Sequence, residues 1–302
     1  MKCSICNGNN IKIIYHGKIR DGGLKKYTEE SVNMYQCQDC DVIWHEPILE
    51  TKDYYESEEY RNSLEGSSEE SNFYKLHDKE SLDKFQYTGT TIFRNKTVAD
   101  IGCGCGAFLD YVSGVANQII AIEPSETYRK IMDKKGFLSY PYASYAMQDW
   151  KEKVDVITSF DVIEHVDDPM VFISDVFDLL TEGGKAIIGT PTDAPVMRSL
   201  LGEIYEQKVL FSTQHIWIFS KENLSRIALK AGFKKENINI KFYQRYSIQN
   251  MIGWVREKEP CSDIKDAFFA NAMDKIWKAE CEASGMSDYI VLYLEKRVSD
   301  NL

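Results

Sequence analysis

Val98-Ala99-Asp100-Ile101-Gly102-Cys103-Gly104-Cys105-Gly106-Ala107-Phe108 is an apolar strand that runs through three alternating glycines into a helix. Glycine lets the backbone turn with φ > 0 and lets a ligand lie against the main chain without meeting a Cβ. The helix that follows opens with unpaired N–H groups. The stretch therefore reads as a cradle for a cofactor. Downstream, apolar runs alternate with amphipathic segments, and Ile119–Ile122, Val154–Ser159 and Lys185–Gly189 read as buried strands. That alternation specifies a doubly wound (Rossmann-like) α/β sheet, with parallel strands and helices on both faces.

Between the last two of these strands, Val171, Phe172, Val176, Leu179 and Leu180 share one helical face, with Gly183-Gly184 as the expected stop. Ser220 is expected to cap a helix running to Lys230 and ended by Gly232, with strands near Ile238–Tyr246 and Tyr289–Leu294. Residues 247–286 read as an insertion before the final strand, a place where variable loops carry specificity. Within it, Ser247–Trp254 reads either as a substrate lid or as a packed helix.

The chain has 302 residues, which favours one main domain with a small appendage. No run of about 18 apolar residues appears, and the N-terminal Met1-Lys2-Cys3-Ser4-Ile5-Cys6 has no apolar signal core, so a soluble, cytoplasmic protein is expected. Lys and Arg number 36 against 47 Asp and Glu, a net charge of -11, and no basic cluster stands out. Such a surface repels a phosphate backbone, which disfavours nucleic acid as a partner.

Eight cysteines, at 3, 6, 37, 40, 103, 105, 261 and 281, are too unevenly placed for a secreted disulfide scaffold, so reduced thiols are expected. Four of them form two Cys-x-x-Cys pairs, Cys3/Cys6 and Cys37/Cys40, separated by 30 residues that include strand-like Ile11–Tyr15 and turn-like Asp21-Gly22-Gly23. That spacing reads as a zinc ribbon over residues 1–48, because four thiolates on two knuckles close a tetrahedral shell. A module this small has too little core to fold without such a staple. A redox role for the thiols is the competing reading, and His16 and His45 are further candidate ligands. Structural zinc has no open coordination position, so no chemistry is assigned to it. Residues 49–95 are polar with interspersed tyrosines and phenylalanines and read as a helical connector, broken by a loop at Glu65-Gly66-Ser67-Ser68.

Taken literally, Gly102-x-Gly104-x-x-Ala107 fits a loose dinucleotide fingerprint, with an acid 21 residues after Gly102 at Glu123. The neighbouring residues separate the possible cofactors. Asp100 precedes the first glycine, and a later strand ends in Ser159-Phe160-Asp161-Val162-Ile163-Glu164-His165-Val166-Asp167-Asp168-Pro169. From about residue 96 to the C-terminus the chain thereby resembles the class I S-adenosylmethionine-dependent methyltransferases. The Glu-His-Val segment is similar to the branch that includes ubiquinone-type O-methyltransferases. The resemblance implies that Gly102, Gly104 and Gly106 cradle the methionyl part of S-adenosyl-L-methionine, that Glu123 binds the ribose, and that Phe160 and Asp161 line the cofactor pocket. For Asp100 a bond to loop N–H groups and a cofactor contact both remain open. The region where the family places its adenine-contacting acid, Tyr142–Trp150, does not match, and adenine recognition is left unassigned.

The cysteine pairs, together with Gln214-His215 and Phe219-Ser220, look like those of methyltransferases acting on nucleotide-linked deoxysugars. The C-methylating members of that group carry a Glu before the His and a further C-terminal domain. Gln214 stands at that position here, so the resemblance implies O-methylation of a nucleotide-linked sugar or another precursor of a surface glycan such as a capsule polysaccharide. An alcohol acceptor needs a base, and imidazole titrates near neutral pH. His215 is expected to be that base and His165 to orient substrate or cofactor; a helix-capping role for Glu164-His165 and a satisfied loop histidine at 215 are the structural counterparts. Two rival functions are an RNA methyltransferase that uses the ribbon for recognition and a non-catalytic scaffold that retains the cofactor fold. The intact glycine loop and Glu123 oppose the scaffold, and the acidic charge opposes RNA.

Overall fold

A computed structural model describes residues 1–48, 51–57, 60, 62, 66–260 and 271–297; Cys261 lies outside them. Two sheets organise the chain. The larger has seven strands in the order β10-β11-β8-β7-β4-β5-β6, where β4 is Thr97–Ile101, β5 Gln118–Ile122, β6 Leu138–Tyr140, β7 Val154–Phe160, β8 Leu180–Pro191, β10 Ile238–Tyr243 and β11 Tyr289–Glu295. The smaller has the order β1-β2-β3-β9, with β1 Ile11–Gly17, β2 Val32–Cys37, β3 Ile43–Trp44 and β9 Trp217–Ile218. The expected Rossmann-like α/β sheet is thus present.

The sequence suggests a division at 1–48, 49–95 and 96–302. Compactness divides the chain differently, into one unit of residues 1–49, 189–226 and 240–292 and a second of residues 50–188, 227–239 and 293–302.

In the first unit, β1 and β2 pair antiparallel and place Ile11 opposite Cys37. Strand β3 joins β2 on one side and β9 on the other, with Trp44 opposite Trp217 and their rings stacked at 6.3 Å. The N-terminal hairpin therefore does not form a core alone. Ile19, Met34 and Ile43 share one buried cluster with Phe211, Ile218 and Trp254. The 247–286 segment supplies two helices, Ile248–Glu257 and Asn271–Ser284. The first is capped by the Ser247 hydroxyl, which accepts from Asn250 N at 3.1 Å. Trp254 is buried against Tyr246 (4.9 Å) and Tyr205 (6.2 Å), which answers the choice between lid and packed helix in favour of packing for this residue.

The second unit is built from β4 to β7 and the helices α1 (Thr51–Glu56), α2 (Glu70–Thr88), α3 (Ala107–Ser113), α4 (Glu126–Lys134), α5 (Ala143–Trp150) and α6 (Pro169–Leu179). Strand β4 lies between β5 and β7, parallel to both, and its residues Val98 and Ala99 are fully buried. Central parallel strands are covered on both faces, which is why they read as unbroken apolar runs. Helix α6 begins where Asp168 accepts hydrogen bonds from Met170 N (2.8 Å) and Val171 N (3.2 Å), with Pro169 in its first turn. The cap is therefore Asp168 and not the Glu164-His165 pair.

Gly183-Gly184 is not the helix stop. The helix ends at Leu179, Leu180 turns extended (φ -65, ψ 136), and both glycines lie inside β8. Leu179 and Leu180 are each fully buried, one closing a helix face and the next opening a strand, so the apolar run conceals the boundary. Ser220 and Asn223 form a reciprocal cap, Asn223 N donating to the Ser220 hydroxyl and Ser220 N to the Asn223 amide oxygen at 3.0 Å, and the helix runs Lys221–Ala231 as expected.

Candidate functional site

A cleft of about 510 Å³ opens in the second unit along the carboxyl ends of β4, β5, β6 and β7. Ligands bind at this edge of open α/β sheets because the strand-to-helix loops converge there. One wall begins with Gly102, whose N–H donates to Ile122 O at 2.7 Å and whose φ of +78° is a left-handed conformation. A Cβ built at Gly102 falls 2.3 Å from Val162 Cγ2, so the loop after β7 closes against bare backbone. Gly104 and Gly106 are also left-handed, with φ of +55° and +80°.

Glu123, at the end of β5, ties the cradle together. Its carboxylate accepts from Gly104 N at 2.9 Å through Oε2 and from Ser125 N at 3.0 Å through Oε1. An ionised carboxylate offers about four acceptor sites, so Glu123 can serve loop amides and ligand hydroxyls together. Glu123 lines the cleft although it is only 6% exposed.

Not every expected residue faces the cleft. Asp161 lines it in a left-handed conformation (φ +59°), its carboxylate 2.8 Å from Lys84 Nζ. Phe160, one residue earlier, turns inward against Phe108 (5.3 Å) and Tyr87 (6.3 Å) and is absent from the described lining. Asp100 likewise lies beneath the floor, where the Thr158 hydroxyl donates to Oδ1 at 2.7 Å; its partner is a neighbouring strand and not the loop amides. Burial pushes the Asp100 carboxyl up to about 7, against the Thr158 bond and the Lys84 charge, which pull it down.

His165 lines the cleft with its Nδ1 2.8 Å from the Tyr55 hydroxyl and its Nε2 3.8 Å from Glu164 Oε1. Its ring also meets those of Tyr55 and Tyr60 edge-on, at 5.7 and 6.4 Å. His215 belongs to the first unit, where its backbone N–H donates to the Ser212 hydroxyl at 3.2 Å.

The connector contributes more than sequence reading assigned to it. Helix α1 supplies Tyr55 to His165, and Tyr142 after β6 donates to Glu56 at 2.8 Å. The segment left unassigned for adenine, from Tyr142 to Tyr145, forms the cleft wall beyond β6. Its two tyrosine rings, Tyr142 and Tyr145, stand 6.3 Å apart and inclined at 40°.

In the first unit the four Cys-x-x-Cys sulfurs of Cys3, Cys6, Cys37 and Cys40 all lie within 4.8 Å of one another. Cys3 and Cys40 Sγ are 3.7 Å apart and Cys6 and Cys37 Sγ 3.4 Å, while Gly8 N donates to Cys6 Sγ at 3.3 Å. Zinc–thiolate bonds of about 2.3 Å in a tetrahedron put sulfurs about 3.8 Å apart, so this donor set suits such an ion. His16 and His45 are not part of the cluster. His16 Nδ1 meets Asn33 Oδ1 at 2.7 Å, and His45 is buried between the carbonyls of Glu46 (2.7 Å) and Ser212 (3.1 Å). Burial lowers the His45 pKa, against the neighbouring carbonyls, which raise it.

The fold has counterparts among known proteins. Residues 73–238 match a family described as "Methyltransferase domain". The ubiquinone biosynthesis O-methyltransferase of Actinobacillus pleuropneumoniae serotype 5b is 30% identical over 148 residues, which is 44% of this chain and 62% of that protein. The chain spans about two fifths of the length of several other relatives of the same name. A SAM-dependent methyltransferase from Archaeoglobus fulgidus has a similar fold, with a TM-score of 0.50 at 16% identity over 78% of this chain and 98% of that one. Phosphoethanolamine N-methyltransferase 2 of Haemonchus contortus, solved with S-adenosyl-L-methionine, gives a TM-score of 0.50 at 15% identity over 85% of this chain and 62% of that one.

The chain belongs to the methyltransferase-domain family, and its fold is shared by solved proteins that include one holding S-adenosyl-L-methionine. The site suits that cofactor, because the bare backbone of Gly102 and the buried carboxylate of Glu123 at the end of β5 line the same cleft. No helix among the described residues is long and apolar enough to cross a membrane.

Proposed function

We propose that this chain moves a methyl group to a hydroxyl oxygen of a small molecule, with His165 as the proton acceptor. Its cofactor, when bound, supplies a methyl group already activated on a sulfonium, so the protein's tasks are to align the nucleophile, exclude water and remove one proton. Gly102 and Glu123 are the residues assigned to hold the cofactor, with Gly104 and Gly106 shaping the loop; Tyr142 to Tyr145 are assigned to its base. Asp161 and, from beneath, Asp100 and Phe160 support the same loops.

The observation that carries this reading is His165 itself. It lines the same cleft as Glu123 and Gly102, is bonded through Nδ1 to the Tyr55 hydroxyl at 2.8 Å, and has Glu164 Oε1 3.8 Å from Nε2. The acceptor's hydroxyl proton passes to the Tyr55 oxygen as Tyr55's own proton moves to His165 Nδ1, and the Glu164 carboxylate facing Nε2 stabilises the cation so formed. His215, expected from sequence to be the base, is the second candidate for this role.

A neutral hydroxyl compound suits the cleft better than a nucleotide-linked sugar or other phosphorylated glycan precursor. Asp167, Asp168 and Asp175 line it, with Lys52 as its lysine among the described residues, and that balance opposes a diphosphate. The O-methyltransferase name of the relatives supports oxygen as the receiving atom.

The four-cysteine cluster is proposed to hold one structural zinc ion, with all four positions filled by protein and no part in the chemistry.

Transfer of radiolabelled methyl to a panel of neutral phenols and alcohols, nucleotide sugars and RNA tests this reading. Labelling of neutral hydroxyl compounds is expected, with turnover lowered about 100-fold or more in His165→Asn. Labelling confined to nucleotide sugars or RNA, or unchanged turnover in the variant, would remove the corresponding part of the proposal.

A further inference from the structure

We infer that helix α2, which lies outside the glycine motif, is a working part of the cofactor site. Its Tyr74 and Lys84 are positioning residues that hold the glycine loop and the loop after β7 in the conformation that receives the cofactor. This goes beyond the proposed acceptor chemistry and does not depend on it.

The two contacts fall on the two loops that matter. Tyr74 donates its hydroxyl to Cys105 O at 2.8 Å. Cys105 sits between two left-handed glycines, Gly104 and Gly106, and fixing its carbonyl fixes the peptide plane that leads into Gly106. The same carbonyl accepts from Lys135 Nζ at 3.1 Å, and Lys135 also donates to the Tyr74 oxygen and to Asp110 at 2.7 Å. Ten residues along, about 15 Å at helical rise, Lys84 Nζ lies 2.8 Å from Asp161 Oδ2 and 2.9 Å from Glu80 Oε1. Asp161 is the left-handed non-glycine residue in the cleft lining, and the ion pair with Lys84 holds its side chain in that turn.

Apolar packing alone does not account for these residues. Phe73 against Tyr128 (5.6 Å) and Phe85 against Tyr111 (5.7 Å, stacked) already seat α2 on α4 and α3. A lysine in the same interface brings a desolvation cost that methionine of similar length would avoid. Burial works against its charge, yet Asp161 and Glu80 outweigh it and hold the Lys84 pKa above its ordinary value. The lysine is thus kept as a cation because a cleft carboxylate needs a partner. It is also a countercharge for buried Asp100, whose carboxyl it draws downward.

The test uses the full chain, with S-adenosylhomocysteine as the probe. Calorimetric Kd, thermal unfolding and amide exchange are measured for the parent, Lys84→Met, Lys84→Arg and Tyr74→Phe. Lys84→Met should weaken binding about 10-fold or more and Lys84→Arg should recover to within about 3-fold, since arginine keeps the charge-assisted bond. Tyr74→Phe removes one hydroxyl and should weaken binding by roughly 3- to 10-fold. Unfolding should stay cooperative, and faster exchange should be confined to residues 102–106 and 160–165, a pattern that general loosening of the fold would not produce. Binding within about 2-fold of the parent in both Lys84→Met and Tyr74→Phe, or equal loss in Lys84→Met and Lys84→Arg, overturns the inference. Should Lys84→Met fail to fold, Tyr74→Phe decides by the same threshold.

Discussion

Replacing Gly102 by alanine asks two separate things of the chain, and each has a size. The residue holds φ at +78°, a left-handed state that costs an L-residue about 1–2 kcal/mol. The new methyl also falls 2.3 Å from Val162 Cγ2 and 3.5 Å from Val162 Cβ. Valine is stiff about χ1, so its side chain cannot rotate clear without entering a poorer rotamer, and the loop after β7 has to shift. Overpacking of this kind costs about 1–3 kcal/mol.

Together the two effects lower folding stability by about 2–5 kcal/mol, read from urea unfolding of Gly102→Ala against the parent. The companion variant Val162→Ala removes the clashing methyl but leaves the backbone strain. In the double variant about 1–3 kcal/mol should therefore return as a coupling energy. A loss below about 0.5 kcal/mol in Gly102→Ala, or single losses that simply add, would refute the close approach of the two loops.

Glu123→Gln keeps the shape but turns an amide NH₂ toward one of the two backbone N–H groups now bonded to the carboxylate. That change costs loop stability, while a neutral amide in place of the charged acceptor for ligand hydroxyls, worth about 1.5–3 kcal/mol, should weaken calorimetric cofactor affinity about 10-fold or more; an unchanged Kd would count against its role. Asp100 links stability to pH. Its folded pKa of about 7 lies above the ordinary value of 3.8, so the folded chain keeps a proton that the unfolded chain releases; the stabilisation is full below the unfolded value and is lost as pH rises through the folded one. Asp100→Asn should gain on the parent in urea unfolding as pH is raised from about 5 to about 8, and a pH-independent difference would remove the effect. Metal analysis should find one zinc per chain, with Cys37→Ser losing it and unfolding at lower urea than the parent; metal-free parent protein with an intact hairpin would exclude the ribbon.

The cradle was legible because its signals are local. A strand, three glycines and an acid at a fixed offset stand within about 25 residues, and each glycine answers to a backbone conformation or a close contact. Glu123 was legible for the same reason. Tyr74, Lys84 and Tyr55 were not, because their partners lie 31, 77 and 110 residues away and no local period marks them. The pairing of β3 with β9 is hidden in the same way, since Trp44 and Trp217 meet only after the chain has passed through every strand of the second unit. The Gly183-Gly184 error had a different source. Glycines after an apolar helix commonly end it, but here an extended Leu180 already had, and the glycines fall within the strand.

The assignment of the cleft is tested most directly by titrating the full chain with S-adenosyl-L-methionine in a calorimeter, with Glu123→Gln as the control. One saturable site per chain, weakened in the variant, is the expected result. No binding heat from a parent protein that unfolds cooperatively, or equal binding by both proteins, would contradict it.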